Sequence, residues 1–293
     1  MGTVFILNLY GSDSGVLQSG AAEALMEVRR LDEMLSNYIP GSELSSVNDR
    51  AADAPVFVSR ELFDLISDCL NYSRESEGTF DITVGPLMKL WGFYKGSGTL
   101  PSSTEIRSTL EVIGYQNIEL NAADRTICFR KRGLNLDPGG IGKGYALDKI
   151  AASLRNSGIC SALISAGGSS LYAVGAPPDS SEGWLIAIRE PEGHDEAGSQ
   201  IFLKDASLST SGSLEKFFWA GGKRYSHIMD PRTGFPSQGM VSTSVIAPRA
   251  VESEVWAKPY YILGRAWTER HKPPQFRVLM CEDDRTEPCK WLD

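Results

Sequence analysis

Four glycines fall within the seven residues that follow Asp137 in the stretch Asp-Pro-Gly-Gly-Ile-Gly-Lys-Gly-Tyr-Ala-Leu-Asp, residues 137–148. Glycine admits positive φ and lets main chain approach a neighbour or a ligand closely, so a tight turn feeding the amphipathic run behind it is expected. The helix predicted from that run presents free N–H groups and a positive dipole end to an anion. Lys143 adds a mobile charge, and Asp137 can accept hydrogen bonds from a base or ring. The plain alternative is a strand-to-helix turn that binds nothing. A mere turn has no need of four glycines and a lysine, so the stretch is read as a cradle for a phosphate-bearing cofactor.

Two familiar phosphate loops are excluded by spelling. A P-loop needs glycine five residues before Gly142 and Ser or Thr after Lys143, where the chain has Asp137 and Gly144. The dinucleotide fingerprint needs a third glycine where Tyr145 stands. The formal charge of -8 argues against nucleic acid as partner but not against one small anion held locally. At 293 residues the chain can bury a full core. No apolar run approaches membrane-spanning length. No signal peptide is recognised, and Met1-Gly2-Thr3 runs straight into a strand-like segment, as in a mature or trimmed form.

The five cysteines, Cys69, Cys128, Cys160, Cys281 and Cys289, form no Cys-x-x-Cys pair and lie near no histidine cluster, which speaks against zinc. Only Cys281 and Cys289 are near enough in sequence to raise a disulfide, and the reading leaves them unpaired. The other three are expected to be small buried hydrophobes.

Periodicity predicts a strand over Thr3–Tyr10 and a helix over Gly20–Tyr38, with Leu25, Val28, Leu31 and Leu35 on one face. Residues 37–44 read as a polar loop. A second helix starts behind Ser59, an N-cap candidate. Ser102 and Glu105 spell a capping box for a short helix ending at Gly114. Residues 117–120 and 126–130 read as a hairpin, and the helix after the glycine-lysine stretch reaches about Ser157. Short strands follow over 162–165, 184–188 and 201–208. A hairpin turning at Ala220-Gly221-Gly222 delivers Asp230-Pro231-Arg232-Thr233-Gly234, which has good turn chemistry. A strand over Val241–Ala247, a helix over Ala250–Gly264, a strand over Arg277–Cys281 and a polar tail (about 283–293) complete the chain. Hairpins interspersed with helices predict an α+β fold with largely antiparallel sheets. Asp81, in the apolar stretch Phe80-Asp81-Ile82-Thr83-Val84-Gly85-Pro86-Leu87, needs partners if buried.

The glycine-lysine stretch, Ser-His-Ile-Met-Asp-Pro-Arg-Thr-Gly at 226–234, Phe-Asp-Ile-Thr-Val-Gly-Pro-Leu at 80–87 and the opening Met-Gly-Thr resemble the FAD:protein FMN transferases of the ApbE type. The motifs run in family order from Met1 to about Gly264. The resemblance implies one T-fold-like α+β domain over residues 1–293. It also implies Mg²⁺-dependent cleavage of FAD, with FMN passed to a Ser or Thr hydroxyl of an acceptor flavoprotein. Carried over, Met1, Tyr38, Thr79, Phe80 and Asp81 line the flavin or adenine pockets. Asp137 takes hydrogen bonds from the cofactor, Lys143 faces its phosphates and Ile228 packs nearby. His227 activates the acceptor hydroxyl, a task suited to a neutral imidazole. The family is commonly exported or lipid-anchored outside the bacterial inner membrane.

At the metal the chain departs from its family. The implied ligands are the Gly140 carbonyl and an Asp and Thr four apart on a helix; here Glu254 and Lys258 occupy those two places. Glutamate can bind Mg²⁺, with its oxygen displaced by one methylene. An ammonium has no lone pair and cannot. Pro259 is expected to disturb the helix at the same point. Glu254 and Lys258 then form either an i,i+4 ion pair or a pair in which the ammonium occupies the cation's place. Three activities fit these residues: transferase, flavin carrier without transfer, and FAD pyrophosphatase with water as acceptor.

Overall fold

Strand β1 (Phe5–Tyr10) leads into helix α1 (Ser14–Leu35), followed by α2 (Glu43–Arg50), β2 (Val56–Phe57), α3 (Arg60–Glu75) and α4 (Gly85–Leu90). Next come α5 (Ser103–Leu110), the hairpin β3 (Ile118–Asn121) and β4 (Thr126–Phe129), and α6 (Gly142–Asn156). Strands β5 (Ser161–Ala166), β6 (Ser170–Val174), β7 (Trp184–Ile188), β8 (Ser199–Leu203) and β9 (Ala206–Gly212) then run nearly back to back. Two hairpins follow, β10 (Phe217–Ala220) with β11 (Lys223–Ser226) and β12 (Met229–Asp230) with β13 (Phe235–Pro236). The chain ends with β14 (Met240–Ala247), α7 (Ala250–Leu263), α8 (Arg265–His271), β15 (Arg277–Glu282) and β16 (Cys289–Leu292). This computed structural model describes residues 2–94, 96, 98–189, 199–283 and 289–293. Met1 and His194 therefore lie outside the described residues.

Two units emerge. Unit 1 comprises Met1–Asp32, Ile141–Gly212 and Gly239–Asp293; unit 2 comprises Glu33–Gly140 and Ser213–Gln238. Unit 1 is built on a seven-stranded sheet in the order β1-β5-β6-β9-β14-β15-β16, antiparallel at every pairing. Alternation along β5, with Ala162, Ile164 and Ala166 buried, directs one face onto α1 and α6 through Ala24, Leu147, Ile150 and Leu154. The opposite face buries Leu208, Val241 and Leu279 beneath the β7–β8 hairpin, whose inward residues are Trp184, Ile186, Ile188, Ile201 and Leu203. Unit 2 holds the three-stranded sheet β2-β4-β3 and a core of Leu87, Trp91, Ile106, Ile113 and Met229. The Trp91 indole N–H donates to the Gly234 carbonyl at 2.9 Å, which fastens the Asp230–Gly234 turn to α4.

Several boundaries differ from expectation for local reasons. Helix α1 starts at Ser14 because the Asp13 carboxylate caps it, accepting from the Gly15 and Val16 amides at 2.8 and 3.2 Å. Its buried face carries Ala24, Leu31 and Leu35 with Val28, whereas Leu25 is 44% exposed. Residues 43–50, partly read as loop, are helical, with Ser42 capping the Ser45 amide. The segment 201–208 is two strands, separated by a turn at Asp205 with φ +48°. Pro259 does not interrupt α7, which runs on to Leu263 with the Val255 side chain and the Tyr260 and Tyr261 rings buried on either side of it.

The expected tail is in part a strand. Cys281 and Cys289 face each other across β15 and β16 and form a disulfide, correcting the unpaired reading. Of the other cysteines only Cys69 is fully buried; Cys128 is half-buried and Cys160 exposed.

Candidate active site

In unit 2 the approach to Asp137 is held at both ends. The Leu136 N–H donates to Asn48 Oδ1 at 2.7 Å and Asn48 Nδ2 returns a bond to the Leu136 carbonyl at 3.1 Å. The Asp137 N–H donates to the Ile82 carbonyl at 2.7 Å. Asp137 Oδ1 accepts from the Gly139 N–H at 2.8 Å, and Oδ2 accepts from the Tyr94 hydroxyl at 2.6 Å. A carboxylate has about four acceptor sites, so both oxygens keep capacity for a ligand. Burial and the neighbouring Asp137 charge hold the Tyr94 phenol well above its ordinary pKa, which keeps it a donor. Tyr38, 73% exposed, meets Tyr94 edge-to-face at 6.2 Å. Two aromatic rings beside a fixed carboxylate make a natural seat for a flat heteroaromatic ring.

Thr79, Phe80 and Asp81 sit deeper. The Thr79 hydroxyl donates to the Ser76 carbonyl, and Phe80 packs edge-to-face on Tyr72. Asp81 finds the partners its burial demands. Its Oδ1 accepts from the Thr83 amide and hydroxyl at 2.8 and 2.7 Å, and its Oδ2 from the Tyr115 amide at 2.8 Å. Burial pushes its pKa up in spite of those three bonds. All three side chains are buried, and the polar atoms of Thr79 and Asp81 bond to protein partners.

His227 follows β11 and is fixed twice by one residue. Its amide donates to the Lys216 carbonyl at 3.0 Å, and its Nδ1 lies 3.2 Å from the same oxygen. A carbonyl only accepts, so this contact is a hydrogen bond in the tautomer that carries the ring proton on Nδ1. That is the tautomer a general base requires. Phe93 meets the ring edge-to-face at 6.5 Å, and Ile228 beside it is buried. His271, by contrast, stacks on Trp267 at 4.1 Å and bonds its carbonyl, a structural role.

In unit 1 the latter part of the glycine-lysine stretch, Gly142-Lys143-Gly144, forms the first turn of α6. Lys143 Nζ donates to Ser169 Oγ at 2.6 Å and lies 3.8 Å from Glu254 Oε1. Glu254, only 3% exposed, accepts from the Gly144 N–H through Oε2 at 2.5 Å, while its buried Oε1 has no hydrogen-bond partner. Lys258 Nζ donates to the Glu254 main-chain carbonyl at 3.2 Å. One turn further along α6, Asp148 caps α7, accepting from the Ala250 and Val251 amides at 2.6 and 3.1 Å. Gly140, read as a ligand carbonyl, closes the short 3-10 turn Pro138–Gly140 of unit 2. Tyr94 and Ser169 were missed in the sequence; their roles arise from partners 43 and 26 residues away.

A family model described as the ApbE family matches residues 1–278. The chain belongs to that family. This ApbE chain is 30% identical to an FAD:protein FMN transferase of Klebsiella pneumoniae over 267 residues, which covers 90% of this chain and 80% of the relative. It is 31% identical to the one from Treponema pallidum, covering 90% and 77% of the two chains. Among solved structures, the ApbE protein of Thermotoga maritima superposes with a TM-score of 0.84 at 26% identity, covering 96% of this chain and 94% of that one. The flavin transferase ApbE of Vibrio cholerae gives 0.83 at 27%, covering 100% and 94%. The α+β, T-fold-like architecture with antiparallel sheets is thereby the observed one.

Proposed function

We infer that this ApbE chain is an FAD:protein FMN transferase, which cleaves FAD and attaches FMN to a Ser or Thr hydroxyl of a target flavoprotein. The carrying observation is a relationship over nine-tenths of the chain to proteins of that name. In the reaction the acceptor oxygen attacks the FMN phosphorus. The bond from that phosphorus to the bridging oxygen breaks, and AMP leaves with the bridging oxygen and both bonding electrons. The hydroxyl proton passes to His227 Nε2 and from there to solvent. A placed general base of this kind contributes about 10²- to 10⁴-fold.

Within unit 2, the Tyr38 and Tyr94 rings and the Asp137 carboxylate suit a flat heteroaromatic ring, with Thr79, Phe80, Asp81 and Ile228 kept in the proposal from the resemblance. Within unit 1, taken by itself, the Lys143 ammonium at a helix N-terminus is a setting suited to phosphate. Met1, outside the described residues, keeps its place in the proposal from the resemblance alone. Residues 1–293 are taken as one functional domain.

Magnesium, implied by the family, does not fit the side chains present. It demands a near-octahedral set of oxygens. One Glu254 oxygen is taken by the Gly144 amide, the other faces Lys143, and position 258 brings a second ammonium without a lone pair. No step above is routed through a metal.

The test is incubation with FAD and candidate acceptor flavoproteins, followed by chromatography for AMP and mass spectrometry for acceptor-bound FMN. AMP with labelled acceptor supports the reading. AMP without label makes the protein a hydrolase, and bound FAD without AMP makes it a carrier.

A further inference from the structure

Glu254 is a carboxylate almost wholly withdrawn from water, and one of its oxygens lacks a hydrogen bond. A buried charge in that state needs a counter-charge within reach. The Lys143 ammonium stands 3.8 Å from it, on a side chain 26% exposed where that of Glu254 is 4%. The ammonium is further tied to Ser169 Oγ, so it is held in place. A second ammonium, that of Lys258, is anchored one helical turn away on the Glu254 carbonyl. The neighbouring carboxylate of Asp148 is engaged by two α7 amides and lies 3.8 Å from the Arg249 guanidinium.

We propose that Lys143 and Lys258, organised by the buried Glu254, form a built-in cationic site for the pyrophosphate of FAD, so that this chain binds its substrate without a divalent cation. The inference rests on the transferase reading and deepens it. Each ammonium is fixed by a protein acceptor, Lys143 on Ser169 Oγ and Lys258 on the Glu254 main-chain carbonyl. Glu254 then serves to orient, not to ligate: its two oxygens set the Gly144 amide and the Lys143 ammonium. An ammonium also donates three hydrogen bonds, so either lysine can reach a phosphate oxygen while keeping its anchor. Both lysines are positioning and binding residues here, since neither takes a proton from the acceptor.

The experiment reads binding rather than turnover. FAD is titrated into the intact protein by fluorescence anisotropy in excess EDTA and again in Mg²⁺, and free Mn²⁺ is counted by electron paramagnetic resonance as protein is added. The expected result is an FAD affinity that changes less than about two-fold on chelation, with no Mn²⁺ taken up. The double variant Glu254→Asp/Lys258→Thr is expected to acquire a Mn²⁺ site and an FAD affinity that falls about ten-fold in EDTA. If that variant does not fold, Lys258→Met keeps the stem and removes the charge; its FAD affinity should drop about five-fold or more with and without Mg²⁺. Stoichiometric Mn²⁺ uptake by the wild type, a ten-fold loss of FAD affinity in EDTA, or an unchanged affinity in Lys258→Met overturns the proposal. FAD that fails to bind under any condition overturns the transferase reading itself, whereas FAD that binds only with metal overturns the cationic site alone.

Discussion

Gly144 is the point at which helix α6 touches the start of α7, and replacing it by alanine isolates that contact. A methyl group there would lie 2.3 Å from the Ala250 carbonyl oxygen, 2.7 Å from its carbon and 2.9 Å from the Val251 Cα. All three atoms are main chain, so no side chain can swing aside. In an ordinary helix interior the change from glycine to alanine stabilises by about 1 kcal/mol. Here the overpacking costs about 1–3 kcal/mol or more. Separating the helices also lengthens the bond from the Gly144 amide to Glu254, of a charged kind worth about 1.5–3 kcal/mol. The clash and the stretched bond outweigh propensity, and the net expectation is a loss of about 2–4 kcal/mol. Gly20→Ala is the matched control. Its methyl meets the Cδ1 of Ile159 at 2.5 Å, the far end of a flexible side chain, and the expected change is within about 0.5 kcal/mol of zero. Urea titrations followed by far-ultraviolet circular dichroism measure both. A Gly144→Ala variant as stable as Gly20→Ala would refute the reasoning that main-chain contact fixes these helices together.

His227→Gln should lower the rate of FMN transfer by about 10²-fold or more while leaving FAD affinity within about two-fold, measured by single-turnover kinetics and titration; a parallel loss of affinity would contradict the base assignment. Asp81→Asn probes the buried carboxylate through pH. Because burial raises the folded-state pKa of Asp81 above its unfolded value, the wild type loses stability as pH rises from the unfolded toward the folded pKa. The deficit of Asp81→Asn should therefore be largest at acid pH and shrink as pH rises, and urea midpoints across that window that diverge in the other direction would reverse the sign. Replacing Cys281 and Cys289 by serine opens a short loop, eight residues of sequence separation, and should cost about 2–3 kcal/mol in calorimetry under non-reducing conditions.

Features carried by short-range chemistry were legible in the sequence. Ser59 caps the Leu62 amide and Ser102 with Glu105 closes a full capping box, because both signals span three residues. The Gly221-Gly222 turn needs positive φ at both glycines, and adopts it at +55° and +75°. The glycine-lysine stretch opens a helix as expected, but one of its glycines is there for a neighbouring helix. Gly144 makes room for α7, a requirement that no window around residue 144 contains. Tyr94, Ser169 and the Cys281–Cys289 pairing escaped for one reason: each owes its role to a partner that only the folded register brings alongside. Helix α2 was missed where serine and asparagine hide a short amphipathic pattern, with only Leu44 and Val47 buried.

The bond of Asp148 to the start of α7, together with the contact at Gly144, makes two helices far apart in sequence into a single mechanical part. A displacement of α7 by any fraction of an ångström is delivered to the first turn of α6, and so to the charge on Lys143. Drift during evolution is bound by the same linkage: a bulkier residue at 144, a shorter one at 148 and an altered carboxylate at 254 are solutions to one shared geometry, and should change hands in company.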